Sequence, residues 1–207
     1  MADLTVVLFH GYGANAADLA PLADALRSER PISWVFPEGP LPIEDYPSGR
    51  CWWPIDMAAL QAAQLSGRQR DLTLEPAGLP AARRAAGEVL KELDVPWDKL
   101  VLGGFSQGAM LAADLALRAP EAPRGLALLS GTLVNAPVWK TLAAARRGMP
   151  FFQSHGRMDP ILPFGAALKL EALLCEAGLK GRLHAFDGGH GIPSEVLEGL
   201  SAFLASL

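Results

Sequence analysis

The chain has 207 residues, half of them hydrophobic and 19% charged. That is enough apolar material for one compact domain over residues 1–207 with a sizeable core and no disulfide or metal staple. The net charge is −4 and the basic residues are scattered, which argues against the basic face of a nucleic-acid binder.

The short pairs Arg83-Arg84 and Arg146-Arg147 read as solvated helix faces. No apolar run approaches the roughly 18 residues of a membrane span. The opening Met1-Ala2-Asp3 lacks the basic start of a secretory leader, and the apolar run behind it is too short. The two cysteines have no framework spacing. Cys175 sits in an apolar helical pattern and reads as a packed thiol, whereas Cys51 lies in a loop and reads as partly exposed. This usage fits a reducing, cytoplasmic setting.

Short apolar runs alternate with longer amphipathic ones along the chain. Residues 5–9, β-branched and aromatic, predict a buried strand ending at His10-Gly11, and a helix follows over 16–27 with Asn15 as its N-cap. A second strand over 33–36 stops at Pro37, and residues 37–56, rich in Pro, Gly and aromatics, read as a long functional loop. A short helix is expected over 58–65 and a clearer one over 81–93. Beyond them, strands over 100–105, 126–129, 151–155 and 182–186 alternate with helices over 106–119, 138–147, 164–177 and 194–207, with Gly178 placed to cap the third of these helices. The strands are almost wholly apolar rather than alternating, the habit of parallel strands covered on both faces. The chain is therefore expected to form a three-layer α/β/α sandwich with about six mostly parallel strands.

Gly104-Phe105-Ser106-Gln107-Gly108 fits G-x-S-x-G, follows a buried strand and opens a helix, as the nucleophile elbow of an α/β-hydrolase must. The flanking glycines are expected because a Cβ at either position would strike a neighbouring strand or helix. The helix N-terminus adds positive potential where an oxyanion would form. Ser106 is thus the candidate nucleophile. Of four histidines, His190 in Asp187-Gly188-Gly189-His190-Gly191 follows the last strand, at the sheet end where such folds place their chemistry. It is the candidate general base.

Asp159 in His155-Gly156-Arg157-Met158-Asp159-Pro160 is the candidate acid that orients the base, favoured over Asp187 by the Ser…Asp…His order of this fold. His155 reads as packing or turn support. His184 lies inside a strand and cannot swing far. A zinc site from His155, Asp159 and His190 lacks any recognised ligand spacing, so no metal or other cofactor is expected. The backbone N–H groups of Gln107 and of Tyr12, in His10-Gly11-Tyr12-Gly13, are the candidate oxyanion donors. Trp52, Trp53, Ile55 and Met57, with Ile161 and Leu162 after the acid, are candidates for a substrate-binding acyl surface. The loop aromatics fit equally well a role in closing the open edge of the sheet.

Taken in order and spacing, His10-Gly11-Tyr12-Gly13, Gly104-Phe105-Ser106-Gln107-Gly108, His155-Gly156-Arg157-Met158-Asp159-Pro160 and Gly189-His190 resemble the phospholipase/carboxylesterase family, over nearly the whole chain. That family includes acyl-protein thioesterases and small bacterial carboxylesterases. The resemblance implies hydrolysis of esters or thioesters of small-molecule substrates without metal or organic cofactor, and, because many members dimerise, it leaves a homodimer open. Two departures stand out. The family usually carries an extra N-terminal strand pair, so the fold is expected to be N-terminally shortened. The middle loop, usually like S-W-F-D, is here Cys51-Trp52-Trp53-Pro54-Ile55-Asp56, which bears on substrate rather than chemistry. With no large lid insertion visible, small or medium acyl esters are the expected substrates. The alternatives are acyl-protein thioesterase or lysophospholipase specificity, a peptidase or acyltransferase on the same scaffold, or a non-catalytic binding protein of this fold.

Overall fold

The computed structural model describes residues 4–26, 28, 30–44, 46–66 and 71–207. Met1, Ala2 and Asp3, read above for a leader, and Arg27, the expected end of the first helix, lie outside the described residues.

In chain order the strands are β1 (Leu4–Phe9), β2 (Ile32–Val35), β3 (Leu41–Ile43), β4 (Tyr46–Cys51), β5 (Leu100–Phe105), β6 (Gly125–Leu129), β7 (Pro150–Gly156) and β8 (Lys180–Phe186). The helices are α1 (Ala16–Leu19), α2 (Leu22–Ala25), α3 (Met57–Leu65), α4 (Leu79–Leu93), α5 (Gln107–Arg118), α6 (Ala136–Ala143), α7 (Phe164–Glu176) and α8 (Ser194–Ser206). Six strands form one sheet in the order β2-β1-β5-β6-β7-β8, and every pairing in it is parallel. All six strands expected from the sequence are in it.

The apolar runs of the strands follow from burial on both sides. Val7 and Phe9 point to one face with Leu102, Leu128 and Phe151, under α4, α5, α6 and α7. Val6 and Leu8 point to the other with Val101, Ala127, Leu129 and Phe186, under α8 and the short N-terminal helices. Three layers result, with α5 buried from Gln107 to Leu117 between the sheet and its neighbouring helices. The chain runs from β1 to β2 on one side and returns to β5 on the other, so the strand order switches at β1 and β5. In open parallel sheets ligands bind beyond the carboxyl ends of strands at such a switch.

Several local expectations are corrected. The helix over 16–27 is two short helices, because Pro21 has no N–H for the helical ladder. Asn15 does cap the first, accepting from the Ala17 and Asp18 N–H groups at 2.8 and 3.3 Å. The loop over 37–56 contains the antiparallel hairpin β3–β4, whose register shifts between Pro42 and Ile43. The two cysteines are reversed: Cys51 is buried at the end of β4 and Cys175 is exposed. The helix expected over 138–147 ends at Ala143 and tightens into a 3-10 turn over Ala144–Arg146.

The arginine pairs are not simply solvated. Arg146 is buried and donates to the Ala116 carbonyl at 2.9 Å and to the Ala119 carbonyl, satisfying orphan acceptors at the end of α5. Arg83 donates from Nε to the buried carboxylate of Asp114, which also receives Arg118 Nε at 3.1 Å and the Trp139 indole at 2.9 Å. Glu75 accepts from Arg83 on the outer side at 2.6 Å. Asp114 thus ties α4, α5 and α6 together behind the helix that carries the site. Removing one partner of a buried pair leaves charge uncompensated, although the two guanidiniums here keep some solvent contact. Asp114→Ala should lower the free energy of unfolding by about 2–4 kcal/mol, as measured by urea denaturation.

Candidate active site

Three loops leave the carboxyl ends of β5, β7 and β8 and meet above the sheet. At the first, Ser106 has φ 55° and ψ −114°, so the helix begins at Gln107 rather than at 106 as expected. A serine at positive φ is strained backbone, held here by surrounding structure. Its N–H donates to the Leu129 carbonyl at 2.8 Å. The glycines flanking it are required by close approach: a Cβ on Gly104 would lie 2.5 Å from the Gly108 backbone, and one on Gly108 would lie 2.0 Å from the Phe9 carbonyl oxygen. The elbow inferred from the sequence is therefore the local geometry.

The β7 and β8 loops are clamped to each other. Arg157 N–H donates to the Phe186 carbonyl at 2.9 Å and Met158 N–H to the Gly188 carbonyl at 3.0 Å. A Cβ on Gly156 would lie 2.1 Å from the Gly189 carbonyl oxygen. Ser130, at the end of β6, donates its hydroxyl to the Gly191 carbonyl at 3.1 Å, holding the residue after His190. Within this clamp His190 Nδ1 lies 2.6 Å from Asp159 Oδ2, and the imidazole packs against Phe105 with ring centroids 4.8 Å apart.

Asp159 is surrounded by donors. Its Oδ1 accepts the N–H groups of Ile161 and Leu162 at 2.8 and 2.9 Å, and its Oδ2 faces both His190 Nδ1 and, at 3.2 Å, His155 Nε2. Burial by itself would raise the carboxyl pKa. The hydrogen bonds from His155, His190 and Leu162 outweigh it and hold the group well below the usual carboxylate range. An ionised Asp159 accepts only, so the bonding proton of His190 sits on Nδ1 and its Nε2 is left as the basic nitrogen. The 2.6 Å separation leaves no room for a metal ion between these two groups. Asp187, the competing acid, is an exposed side chain paired with Arg157 at 3.3 Å.

Ser106 and His190 line one cavity of about 670 Å³, together with Tyr12, Trp53, Ile55, Met57, Ile161 and Leu162. No hydrogen bond joins Ser106 Oγ to the imidazole among the described residues, and such contacts commonly tighten only with substrate in place. The N–H groups of Tyr12 and Gln107 have no acceptor among the described residues.

Trp52 is the one candidate substrate-binding residue that does not line the cavity. It is buried behind the wall, edge-on to Phe9 at 5.2 Å, with its indole N–H donating to the His10 carbonyl at 3.0 Å. The Gln107 side chain fixes this wall by accepting the Trp52 N–H at 2.9 Å and donating to the Trp53 carbonyl at 2.8 Å. His10 serves the same wall. Its Nε2 accepts the Gly39 N–H at 2.8 Å and its Nδ1 donates to the Gly11 carbonyl at 2.7 Å, and burial pushes its pKa down, in keeping with an uncharged ring. The open alternatives for the loop aromatics thus divide: Trp53 faces the cavity and Trp52 supports it. Sequence reasoning missed Met110, Leu60 and the segment Pro76-Ala77-Gly78 as cavity lining. Met110 stands one helical turn beyond Ser106, a spacing that could have identified it; nothing local marks 76–78.

A model of the phospholipase/carboxylesterase family matches residues 2–207. The chain belongs to this family. Among curated relatives of the family fold, it is 30% identical to acyl-protein thioesterase 1 of Eremothecium gossypii, over 98% of this chain and 87% of that protein. Among solved structures it is similar to esterase PE8, at 27% identity and a TM-score of 0.80, covering 99% of this chain and 93% of that one. It also shares its fold with a carboxylesterase from Mesorhizobium loti, at 23% identity and a TM-score of 0.76, covering 100% and 90%. The family is one of hydrolases, and no helix of the described residues is long and apolar enough to cross a membrane.

Because the folded pKa of Asp159 is depressed, its charge contributes stability that is present above the unfolded carboxylate value of about 4 and lost as pH falls toward the folded value. Asp159→Asn removes this linkage. The decline of melting temperature below about pH 4 should be shallower in the variant than in the parent.

Proposed function

We propose that this protein is a serine carboxylesterase that hydrolyses small to medium acyl esters or thioesters through an acyl-enzyme on Ser106. The observation that carries this reading is the 2.6 Å contact between His190 Nδ1 and an ionised, buried Asp159, with His190 and the strained Ser106 lining one cavity.

In the reaction so proposed, Ser106 Oγ attacks the acyl carbon and its proton passes to His190 Nε2. Asp159 stabilises the imidazolium that forms and keeps the ring oriented. The carbonyl oxygen, negative in the tetrahedral intermediate, accepts the N–H groups of Tyr12 and Gln107, the latter at the positive end of α5. Collapse expels the alcohol or thiol with the proton from His190. Water then attacks the acyl-enzyme, giving its proton to His190, and the acid is released with Ser106 restored. Trp53, Ile55, Met57, Ile161 and Leu162 give the cavity an apolar wall suited to an acyl chain, while Tyr12 and Gln107 sit at its reacting end. A thioester runs through the same steps with a better leaving group.

Ser106→Ala should reduce p-nitrophenyl butyrate hydrolysis by about 10⁴-fold or more with little change in melting temperature. Retained turnover would refute the assignment. A kcat/KM that stays flat from about pH 5 to 9 counts against a histidine as the general base. Labelling of Ser106 by a fluorophosphonate separates an active hydrolase from a binding protein of the same fold. Release of free acid in the presence of added alcohol or amine separates it from an acyltransferase, and a panel varying acyl length and leaving atom reads the specificity.

A further inference from the structure

His155 lies at the carboxyl end of β7, fully buried. Its Nε2 is 2.8 Å from the Leu162 carbonyl oxygen and 3.2 Å from Asp159 Oδ2. A carbonyl oxygen and an ionised carboxylate both only accept, so the ring proton must sit on Nε2, shared between them. The other nitrogen, Nδ1, is buried with no hydrogen-bond partner among the described residues, so a second proton there would bury an unpaired donor. Charged and titratable groups around this cluster include Asp159 itself, His190 across the carboxylate, and Arg157, which pairs with Asp187 at 3.3 Å and whose guanidinium lies 5.5 Å from the centroid of the Phe164 ring that packs near His155. The imidazole therefore has a fixed tautomer, one donor to give, and two acceptors, one on the acid and one on the turn that carries Ile161 and Leu162 into the cavity.

We propose that His155 is a positioning residue for the reaction: its Nε2–H pins the Asp159 carboxylate and the 159–162 turn, so that Oδ2 meets His190 in the productive orientation. This rests on the roles given above to Ser106, Asp159 and His190. Two backbone amides hold Oδ1 and two imidazoles hold Oδ2, which fills the roughly four acceptor sites of a carboxylate. Without His155 the carboxylate turns more freely about its own axis, and Oδ2 places its charge on His190 alone. The first effect slows the proton transfers, and the second makes the His190 imidazole easier to protonate.

The test compares His155→Met, which fills the space without a donor, with His155→Gln, whose amide offers an N–H at similar reach. Hydrolysis of p-nitrophenyl butyrate is expressed per site titrated by fluorophosphonate, so that misfolded protein is not counted. For His155→Met, kcat should fall about tenfold, the scale of one lost charged hydrogen bond, with KM changed by less than about twofold. The acid limb of its kcat/KM profile should move to higher pH, and His155→Gln should recover most of both effects. Unchanged kcat and profile in His155→Met, or an equal loss in both variants with no movement of the acid limb, overturns the proposal. In the parent enzyme labelled with ¹⁵N-histidine, His155 should show a protonated Nε2 and a bare Nδ1; a proton found on Nδ1 overturns it without recourse to any variant. Ser106→Ala is assayed alongside. If that variant still turns over, the reading of the site fails and the proposal with it; if it is inactive while His155→Met is normal, only the role of His155 fails.

Discussion

The Asp159 carboxylate accepts from two amides on one oxygen and faces two imidazoles on the other, and the geometry of the candidate site follows from keeping it ionised in a buried place. A buried carboxylate left without donors would take up a proton and offer His190 an ambiguous partner. The donors arrive from its own turn, from β7 and from the β8 loop, so the charge can be held only when these segments are assembled. Gly156 lets the β7 and β8 loops come that close, because any side chain there would strike the Gly188 and Gly189 carbonyls. The same contact fixes which ring nitrogen of His190 carries the bonding proton.

The opposite wall of the cavity rests on neutral hydrogen bonds. Gln107 lines the cavity while its side chain grips Trp52 and Trp53. His10 grips Gly39 and Gly11, and Trp52 returns to the His10 carbonyl. The hairpin β3–β4 is tied to the β1 loop by backbone pairs of Arg50 with Gly13 and Ala14, and the Trp52-Trp53 segment behind it packs into the apolar core with Phe9. Buried polar pairs lose most when one partner is deleted, so this wall is specified by residues that never touch the cavity, Trp52 and His10 among them.

The sheet and the elbow were legible in the sequence because each is written in local terms. A parallel strand buried on both faces must be apolar throughout, as Leu100 to Leu102 and Gly125 to Leu129 are. A serine at positive φ between a strand and a helix needs glycines at fixed offsets. Asp159 and His190 could be singled out as candidates for a related reason, since ligands of such sheets bind at strand carboxyl ends and few titratable residues occur there. The hairpin inside residues 37–56 was not: its strands are short, carry Pro42 and Pro47, and are defined by pairing to each other and to Ala14. Nor was the burial of Arg146 and Cys51 or the partial burial of Arg83, because a cation or a thiol in a sequence does not disclose whether another element will cover it.

By itself the sequence determined the layer order, the strand set and the residue types that ester hydrolysis requires, since these depend on periodicity, on glycine offsets and on position relative to strand ends. Only the tertiary structure decided which aromatic of the Trp52-Trp53 pair faces the cavity, that Asp187 points to solvent while Asp159 turns inward, and that His155 shares the carboxylate with His190. Those choices are contacts between residues distant in the chain or on opposite sides of a turn. Their direction is set by which side chains the packed layers leave room for, and a one-dimensional pattern carries no record of that space.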